Sequence, residues 1–179
     1  VTDVFKNTEF TIFKNVIEEN GIINCLVVKN KASDYSRKEL DKLVEFVKTY
    51  KAQGLAYIKY NEEITGSIVK VLSDAEINNL KNTLGVENND LVLIVSGKKN
   101  IVKTSLGALR CKLGRDLGLI NENSYELLWV TDFPSFEWSD EENRFMACHH
   151  PFTAPNDEDV DKLINDKANC YSKAYDIVI

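Results

Sequence analysis

The sequence of 179 residues predicts an α+β protein built from two parts. Three observations indicate this: short apolar, β-branched runs alternate with amphipathic segments, serine-glutamate capping boxes open two of those segments, and the charge changes near residue 120. We expect the first part, residues 4–118, to be a two-layer module with a small, mainly antiparallel sheet and helices on one face. We expect the second part, residues 119–179, to be an incomplete antiparallel segment.

The first part contains runs with the length and composition of strands. Ser36 and Glu39 form a capping box for an amphipathic helix, and Gly54 is the expected stop. One further run, ITGSIVKVL (64–72), fits either a strand or a short helix. The predicted strands are GIINCLVVK (21–29), GLAYIKY (54–60) and DLVLIVSG (90–97).

A second capping box and a long basic segment complete the first part. Ser73 and Glu76 open a helix that should end at Gly85. The segment 98–120 is predicted to be a longer helix. Its glycines follow neither the GxGxxG nor the P-loop spacing, so a doubly wound nucleotide-binding fold is not expected.

The second part contains a predicted hairpin and acidic turns. A strand over 126–132 is expected to pair with 143–149, with the acidic SDEEN sequence at the tip. The run KAYDIVI (173–179) is a third strand candidate. Asp132 is expected to form a turn rather than to act as an acid catalyst. The carboxylates that follow the histidine turn are expected to cap a short helix, with a divalent cation as the alternative: Asp157, Glu158, Asp159 and Asp161.

Charge and composition limit the possible partners. The net charge of −6 divides unevenly: residues 1–119 hold 18 Lys and Arg against 15 Asp and Glu, whereas residues 120–179 hold 4 against 13. Only the first part is therefore expected to approach a polyanion. No apolar run approaches the roughly 18 residues of a membrane span, so no membrane partner is expected.

The four cysteines and the single methionine indicate the setting of the chain. The cysteines form no CxxC pair, which favours reduced thiols in the cytoplasm over disulfides or a zinc site. Met146 is the only methionine, and the opening VTDVFKNTEF has no signal-peptide pattern. We expect an internal piece of a longer protein.

A cluster of cations in the long predicted helix is a candidate RNA contact. A basic helix can lie along a phosphate backbone without reading sequence. The alternative is an ordinary solvated helix face, which the absence of interleaved aromatic residues favours. Only Asp116 offsets the cations, which are Lys98, Lys99, Lys103, Arg110, Lys112 and Arg115.

The two histidines of the chain, His149 and His150, stand together in FMACHHPFTAP (145–155). Adjacent residues of an extended chain point to opposite faces, and Pro151 holds His150 extended, so a shared metal is not expected. The pair either caps a turn, or one imidazole faces a pocket as a donor to a polar substrate while the other braces the loop. Cys148 is a weak candidate nucleophile because its neighbours suggest burial.

These residues also carry a resemblance to a known family. DFPSFEW (132–138), RFMACHHPFTAP (144–155) and AYDIVI (174–179) resemble the segment after motif 2 of bacterial-type aspartyl-tRNA synthetases, which are class II enzymes. The region from VTDVFKNTEF to SLGALRCKLGRDLGL resembles the GAD insertion domain of the same enzymes. The resemblance covers essentially the whole chain.

The resemblance implies a function for the two parts. Residues 4–118 would be the GAD-like insertion and residues 119–179 part of the catalytic domain. The family activates L-aspartate with ATP and transfers it to tRNA, and His149 and His150 would bind the L-aspartate. ATP and Mg²⁺ are implied for a homodimeric parent, with no cofactor and no activity expected in the piece alone. The alternative is a non-catalytic tRNA-binding or scaffold module, like the GAD domain of tRNA-dependent amidotransferases.

Overall fold

The computed structural model describes residues 1–178, which fall into two compact units, Val1–Ile120 and Asn121–Ile179. Ile179, the last residue of the predicted KAYDIVI strand, lies outside the described residues. The elements of the first unit are α1 (Thr11–Glu18), β1 (Ile22–Val28), α2 (Arg37–Lys48), β2 (Ala56–Tyr60), β3 (Ile64–Gly66), α3 (Asp74–Leu84), β4 (Asp90–Gly97) and α4 (Lys99–Asp116).

The first unit is built on a four-stranded antiparallel sheet in the order β1-β4-β2-β3. Strand β4 is central, and its Ile94 lies opposite Cys25 of β1 and Ala56 of β2. Mixed helices and antiparallel strands confirm the predicted α+β class. The ambiguous run 64–72 divides into strand β3 and a short 3-10 turn, Val69–Val71.

Helices cover both faces of this sheet, which corrects the prediction that they lie on one face. Alternate residues of β4 belong to different apolar clusters: Leu93 packs with residues of α2 and α4, and Ile94 with Phe13 of α1 and Leu80 of α3. The first six residues of β4 are all buried, as in a strand covered on both sides. The second face is covered by α3, which the sequence predicted, and by α1, which it did not.

The capping boxes form as predicted, but helix α2 is shorter than expected. Ser36 accepts a hydrogen bond from the Glu39 amide at 3.3 Å, and the Glu39 carboxylate accepts one from the Ser36 amide at 2.6 Å. The helix ends at Lys48 rather than near Gly54, because the chain already turns at Lys51, which has a left-handed φ of 68°. Helix α3 ends at left-handed Gly85 as predicted.

The second unit is built from paired short segments. Here β5 pairs with β10, β6 with β9, and β7 with β8, all antiparallel. The elements are β5 (Leu128–Val130), β6 (Phe133–Pro134), β7 (Phe136–Ser139), β8 (Arg144–Ala147), α5 (Lys162–Asn165), β9 (Tyr171–Ser172) and β10 (Asp176–Val178).

The predicted hairpin exists with a different first strand. The acidic tip is correct, but β8 pairs with β7 and not with 126–132. The strand within 126–132 instead pairs with β10, where Trp129 lies opposite Ile177. Local closure explains this, because residues 136–139 lie directly beside the turn and need a much shorter loop than 126–132.

The second unit buries little apolar surface of its own. Both large apolar clusters lie within residues 1–120. Among the described residues of the second unit, those classed as buried are Asp159, Cys170 and Ser172. Trp129 and Tyr175 pack edge to face but remain 63% and 66% exposed. An apolar surface of this kind is typical of an interaction site. Within residues 1–178 we find no helix long and apolar enough to cross a membrane.

Candidate functional site

A cleft of about 520 Å³ lies in the second unit, between the histidine turn and the β7–β8 hairpin. This volume is in the range of small-molecule sites, which combine apolar walls with a few placed polar groups. Within residues 1–178, no Asp, Glu, Lys or Arg side chain lines it. The walls are formed by Ser135, Phe136, Ala147, His149, His150, Pro151, Phe152, Thr153, Ala154, Pro155, Leu163 and Ser172.

His149 lines this cleft, and its side chain also contains a buried polar atom. Its ring packs edge to face against Phe133, with the centroids 5.6 Å apart and the planes at 89°. Its Nε2 atom is buried and has no hydrogen-bond partner among the described residues. A buried polar atom without a partner is costly and therefore uncommon. The aromatic contact thus holds the His149 ring in the wall of the cleft.

His150 is exposed and is used within the turn. Its Nδ1 accepts a hydrogen bond from the Phe152 amide at 3.3 Å, and its carbonyl accepts one from the Thr153 amide at 2.9 Å. The His150 and Phe152 rings also pack edge to face, with centroids 4.6 Å apart. The adjacent imidazoles therefore have different surroundings, one at the cleft and one in the turn.

Ser135 is a polar residue of the cleft that the sequence did not single out. Its amide donates to the Cys170 carbonyl at 2.9 Å, and its carbonyl accepts from the Cys148 amide at 3.0 Å. Its Oγ atom is buried without a partner. Ser172, by contrast, donates its hydroxyl to the Phe133 carbonyl at 3.1 Å. No sequence signal marks Ser135, because its position in the cleft depends on pairing between distant segments.

The other candidate groups of this region have structural partners. Partial desolvation, followed by the charge of Glu137, raises the pKa of the Cys148 thiol, which disfavours a thiolate nucleophile. Asp132 has a left-handed φ of 58° and accepts from the Asn156 side chain at 3.0 Å, as expected of a turn residue.

Two acidic side chains that follow the histidine turn also have partners within the unit. Asp157 pairs with Lys173 at 2.6 Å, and Asp159 accepts from the Tyr171 amide at 2.8 Å. The ion pair with Lys162, together with the Tyr171 amide, holds the pKa of Asp159 below its usual value. Residues Asp157–Asp159 themselves form a 3-10 turn, and Asp161 precedes the four-residue helix α5 without a side-chain cap hydrogen bond, so the expected capping is not found. Across residues 1–178, no three His, Cys, Asp or Glu side chains are arranged to hold a metal ion.

The predicted basic residues do not form a single face. At about 100° per residue, Lys99, Lys103 and Arg110 fall within about 40° of each other, along a line of about 16 Å. All three are exposed, as are Lys98 before the helix and Arg115 near its end. Lys112, which the sequence also predicted as an RNA contact, lies on another side of the helix.

Lys112 is partly occupied by neighbours. Its Nζ atom bonds the Asp116 carboxylate at 2.8 Å and lies 5.6 Å from the centroid of the Phe46 ring. It therefore differs from the exposed line of Lys99, Lys103 and Arg110, which we call the basic stripe.

Comparison with known proteins identifies the family. The GAD domain model matches residues 13–106. The chain is 48% identical to an aspartate-tRNA ligase of Clostridium beijerinckii, 44% to one of Oceanobacillus iheyensis and 43% to one of Staphylococcus carnosus, in each case over its whole length. It spans only 30 to 31% of the length of these relatives. The chain belongs to the GAD domain family and is similar throughout to bacterial aspartate-tRNA ligases.

Proposed function

We propose that this chain is part of an aspartate-tRNA ligase, which activates L-aspartate with ATP and transfers it to tRNA. The observation that carries the proposal is the position of His149 in the wall of the cleft. The similarity to aspartate-tRNA ligases extends across both units, including the cleft. It therefore favours a synthetase over a GAD module that serves only for RNA binding or as a scaffold.

The two histidines have different roles in this proposal. His149, which lies in the wall of the cleft, contacts the bound L-aspartate directly. His150 lines the same cleft but holds the turn through the Phe152 amide. Both are thus substrate-site residues, one by contact and one by positioning, and neither forms a covalent bond.

The remaining reactants are proposed for the whole polypeptide only. The carboxylates and histidines of residues 1–178 do not fit a metal site, so no step of the reaction is assigned to Mg²⁺ here. ATP and tRNA are substrates of the proposed reaction. We further propose that the whole enzyme is a cytoplasmic homodimer.

The direct test is L-aspartate-dependent exchange between ATP and pyrophosphate in the whole polypeptide. His149→Ala should lower kcat/KM for aspartate by about 100-fold, the range of one buried hydrogen bond to a charged group. His150→Ala should have a smaller effect, accompanied by a lower melting temperature. Unchanged kinetics in His149→Ala would contradict the assigned contact, and an absence of exchange in the unmodified polypeptide would contradict the function.

The isolated 179-residue chain is expected to be inactive. The cleft lies in the unit that buries few residues, and the cleft residue Phe152 is 93% exposed. Further packing around the cleft would be needed to hold it in a productive geometry. The same exchange assay on the isolated chain should give no turnover, and clear turnover would contradict this expectation.

The basic stripe is the proposed contact with the tRNA backbone. Replacing Arg110 by Ala should weaken tRNA binding and make the salt dependence of binding less steep, because each lost phosphate contact removes released counterions. Lys112→Ala is the matched control, since Lys112 is paired with Asp116 outside the stripe. Equal effects of the two substitutions on the salt dependence would contradict the proposed contact. If tRNA binding persists without exchange activity, the non-catalytic RNA-binding function is favoured.

A further inference from the structure

We propose that the open part of the β1 edge and the end of helix α4 form a docking groove for an extended, acidic segment of another protein, which adds to the sheet as a further strand. The groove has a volume of about 470 Å³ and lies within the first unit. The inference is independent of the proposed synthetase reaction, because the groove shares no residue with the cleft of the second unit.

Strand β1 lies at an edge of the four-stranded sheet, and only part of that edge is covered. Thr2 Oγ1 covers Ile23, since it accepts from the Ile23 amide at 3.0 Å and donates to the Ile23 carbonyl at 3.1 Å. Backbone groups of alternate residues face the same side of a strand, and the pairing of β1 with β4 is unbroken, so Cys25 and Val27 also face outwards. The Cys25 amide bonds the Asn24 side chain at 3.0 Å. Among residues 1–178, we find no partner for the amide or the carbonyl of Val27.

The groove runs along this open part of the edge. Three consecutive residues of β1 line it, which are Leu26, Val27 and Val28. Leu26 and Val28 pack with the apolar cluster on one face of the sheet, whereas Val27 packs with the cluster on the other face. Side chains on opposite faces border the same groove where the sheet ends. The unpaired backbone groups of Val27 therefore lie beside the groove.

The opposite wall of the groove is one side of helix α4 and the residues that follow it. Spacings of three and four residues place the lining residues on the same side of the helix. These are Arg110, Leu113, Gly114 and Leu117. Leu119 also lines the groove and is 73% exposed. Exposed apolar side chains beside an unpaired strand edge are typical of a site for another chain.

The groove also determines the chemistry of the segment that fits it. Its walls are apolar except for Lys29, Lys31 and Arg110, and no Asp or Glu of the described residues lines it. Lys29 and Lys31 already pair with acids of the same unit, whereas Arg110 takes part in none of the ion pairs found among residues 1–178. The unpaired backbone groups of Val27 favour an extended peptide over RNA, which has no amides to pair with a strand. A segment with alternating apolar residues and a carboxylate near Arg110 complements these features.

The test measures, by fluorescence anisotropy, how tightly a labelled peptide of alternating valine and aspartate binds the whole polypeptide. Gly114→Leu fills the groove without a clash, because the atom nearest to its new Cβ is Ile120 Cγ1 at 4.0 Å. Gly107→Leu is the matched control, since Gly107 lies on the same helix, has nothing within 4 Å of its Cβ and does not line the groove. Gly114→Leu should weaken peptide binding about tenfold, and Gly107→Leu should leave it unchanged. A peptide of alternating valine and lysine should bind about two- to fivefold more weakly, the range of an exposed ion pair.

A second variant, Val27→Pro, tests the strand edge itself. Proline is tolerated where a strand amide faces away from the sheet, so the substitution removes the free donor and keeps the pairing with β4. It should weaken peptide binding about two- to tenfold, as expected for one lost hydrogen bond. Arg110 is left unchanged in all variants, because it also belongs to the basic stripe.

The outcomes distinguish the proposed occupant from the alternatives. Equal peptide affinities of Gly114→Leu and Gly107→Leu, or no binding of the peptide to the whole polypeptide, would overturn the docking groove. An equal loss of tRNA binding in Gly114→Leu would identify RNA as the occupant. A dimer that Gly114→Leu dissociates would identify a second copy of this chain, and either of these two results would overturn the proposal as well.

Discussion

Asp90 is the residue whose removal is expected to destabilise the first unit most specifically. It begins β4 and is 1% exposed. Its carboxylate accepts hydrogen bonds from the Asn30 amide at 2.8 Å, the Glu87 amide at 2.9 Å and Lys29 Nζ at 2.8 Å. The side chain thus ties the end of β1 and the loop before β4 to the central strand.

The magnitude follows from the partners that Asp90→Ala would leave behind. Each of the two amides loses a charged acceptor in a partly buried place, a loss of about 1 to 2 kcal/mol per bond. Lys29 is 54% exposed in its side chain and returns to water with little penalty. We therefore expect the free energy of unfolding to fall by about 2 to 4 kcal/mol.

Urea denaturation of the chain provides the assay, with two optical probes that report different units. Both tryptophans, Trp129 and Trp138, lie in the second unit, whereas the longer helices lie in the first. With a slope of about 2 kcal/mol per molar urea, Asp90→Ala should lower the midpoint seen by far-UV circular dichroism by about 1 to 2 M. Tryptophan fluorescence should report a much smaller change.

Lys29→Ala is the matched control for the same ion pair. It removes the exposed partner and leaves both amide bonds to Asp90 in place, so its effect should be much smaller. If the two substitutions lower the midpoint equally, or if Asp90→Ala changes it by less than about 0.3 M, the amide hydrogen bonds do not carry the stability assigned to them.

The remaining predictions concern acidity, one close approach and one helix cap. Burial alone would raise the pKa of Asp90, but the Glu87 and Asn30 amides and Lys29 outweigh it and hold the pKa below the ordinary 3.8. The stability that the charged Asp90 carboxylate contributes is therefore complete above about pH 4 and is lost as the pH falls through the lowered pKa. The difference in the free energy of unfolding between the unmodified chain and Asp90→Asn should accordingly become smaller in acid. Gly66→Ala should lower stability by about 1 to 3 kcal/mol, because the new Cβ would lie 2.3 Å from a backbone oxygen, whereas the Cβ of Gly54→Ala meets nothing within 4 Å and should be nearly neutral. Ser73→Ala should lower the free energy of unfolding by about 1 kcal/mol in the same urea assay, because the α3 cap is lost. Equal urea midpoints for Gly66→Ala and Gly54→Ala would contradict the close approach assigned to Gly66. A midpoint of Ser73→Ala no lower than that of the unmodified chain would contradict the cap.

Local signals explain why much of the first unit was predictable from sequence. The boxes begun by Ser36 and Ser73 set two helix starts, and the apolar run 90–97 matches β4 residue for residue. Helix α1 (Thr11–Glu18) was missed because it has no side-chain cap and only eight residues. The one-face placement was wrong for another reason: α3, which was predicted, packs on the second face, and the uninterrupted apolar run of β4 is typical of a strand covered on both sides.

The candidate site illustrates the opposite case, in which long-range pairing decides the outcome. The histidine pair was recognisable from its motif, but the separation of roles between His149 and His150 depends on the Phe133 ring and the Phe152 amide. Ser135 carried no local signal at all. Its position is defined by the carbonyl of Cys170, 35 residues further along the chain, and by the Cys148 amide.

The same contrast explains why strand pairing in the second unit was partly wrong. Segments of two to four residues carry little hydrophobic periodicity, and β5 finds its partner in β10, where Leu128 lies opposite Val178. The apolar faces of these strands remain exposed, so burial within the unit does not select the pairing by itself. The cleft is lined instead by residues of β7, β8, β9 and the histidine turn, in the same unit with few buried residues. We therefore expect a substitution at His149 to change the exchange kinetics only in the whole polypeptide, where further packing can hold the cleft in place.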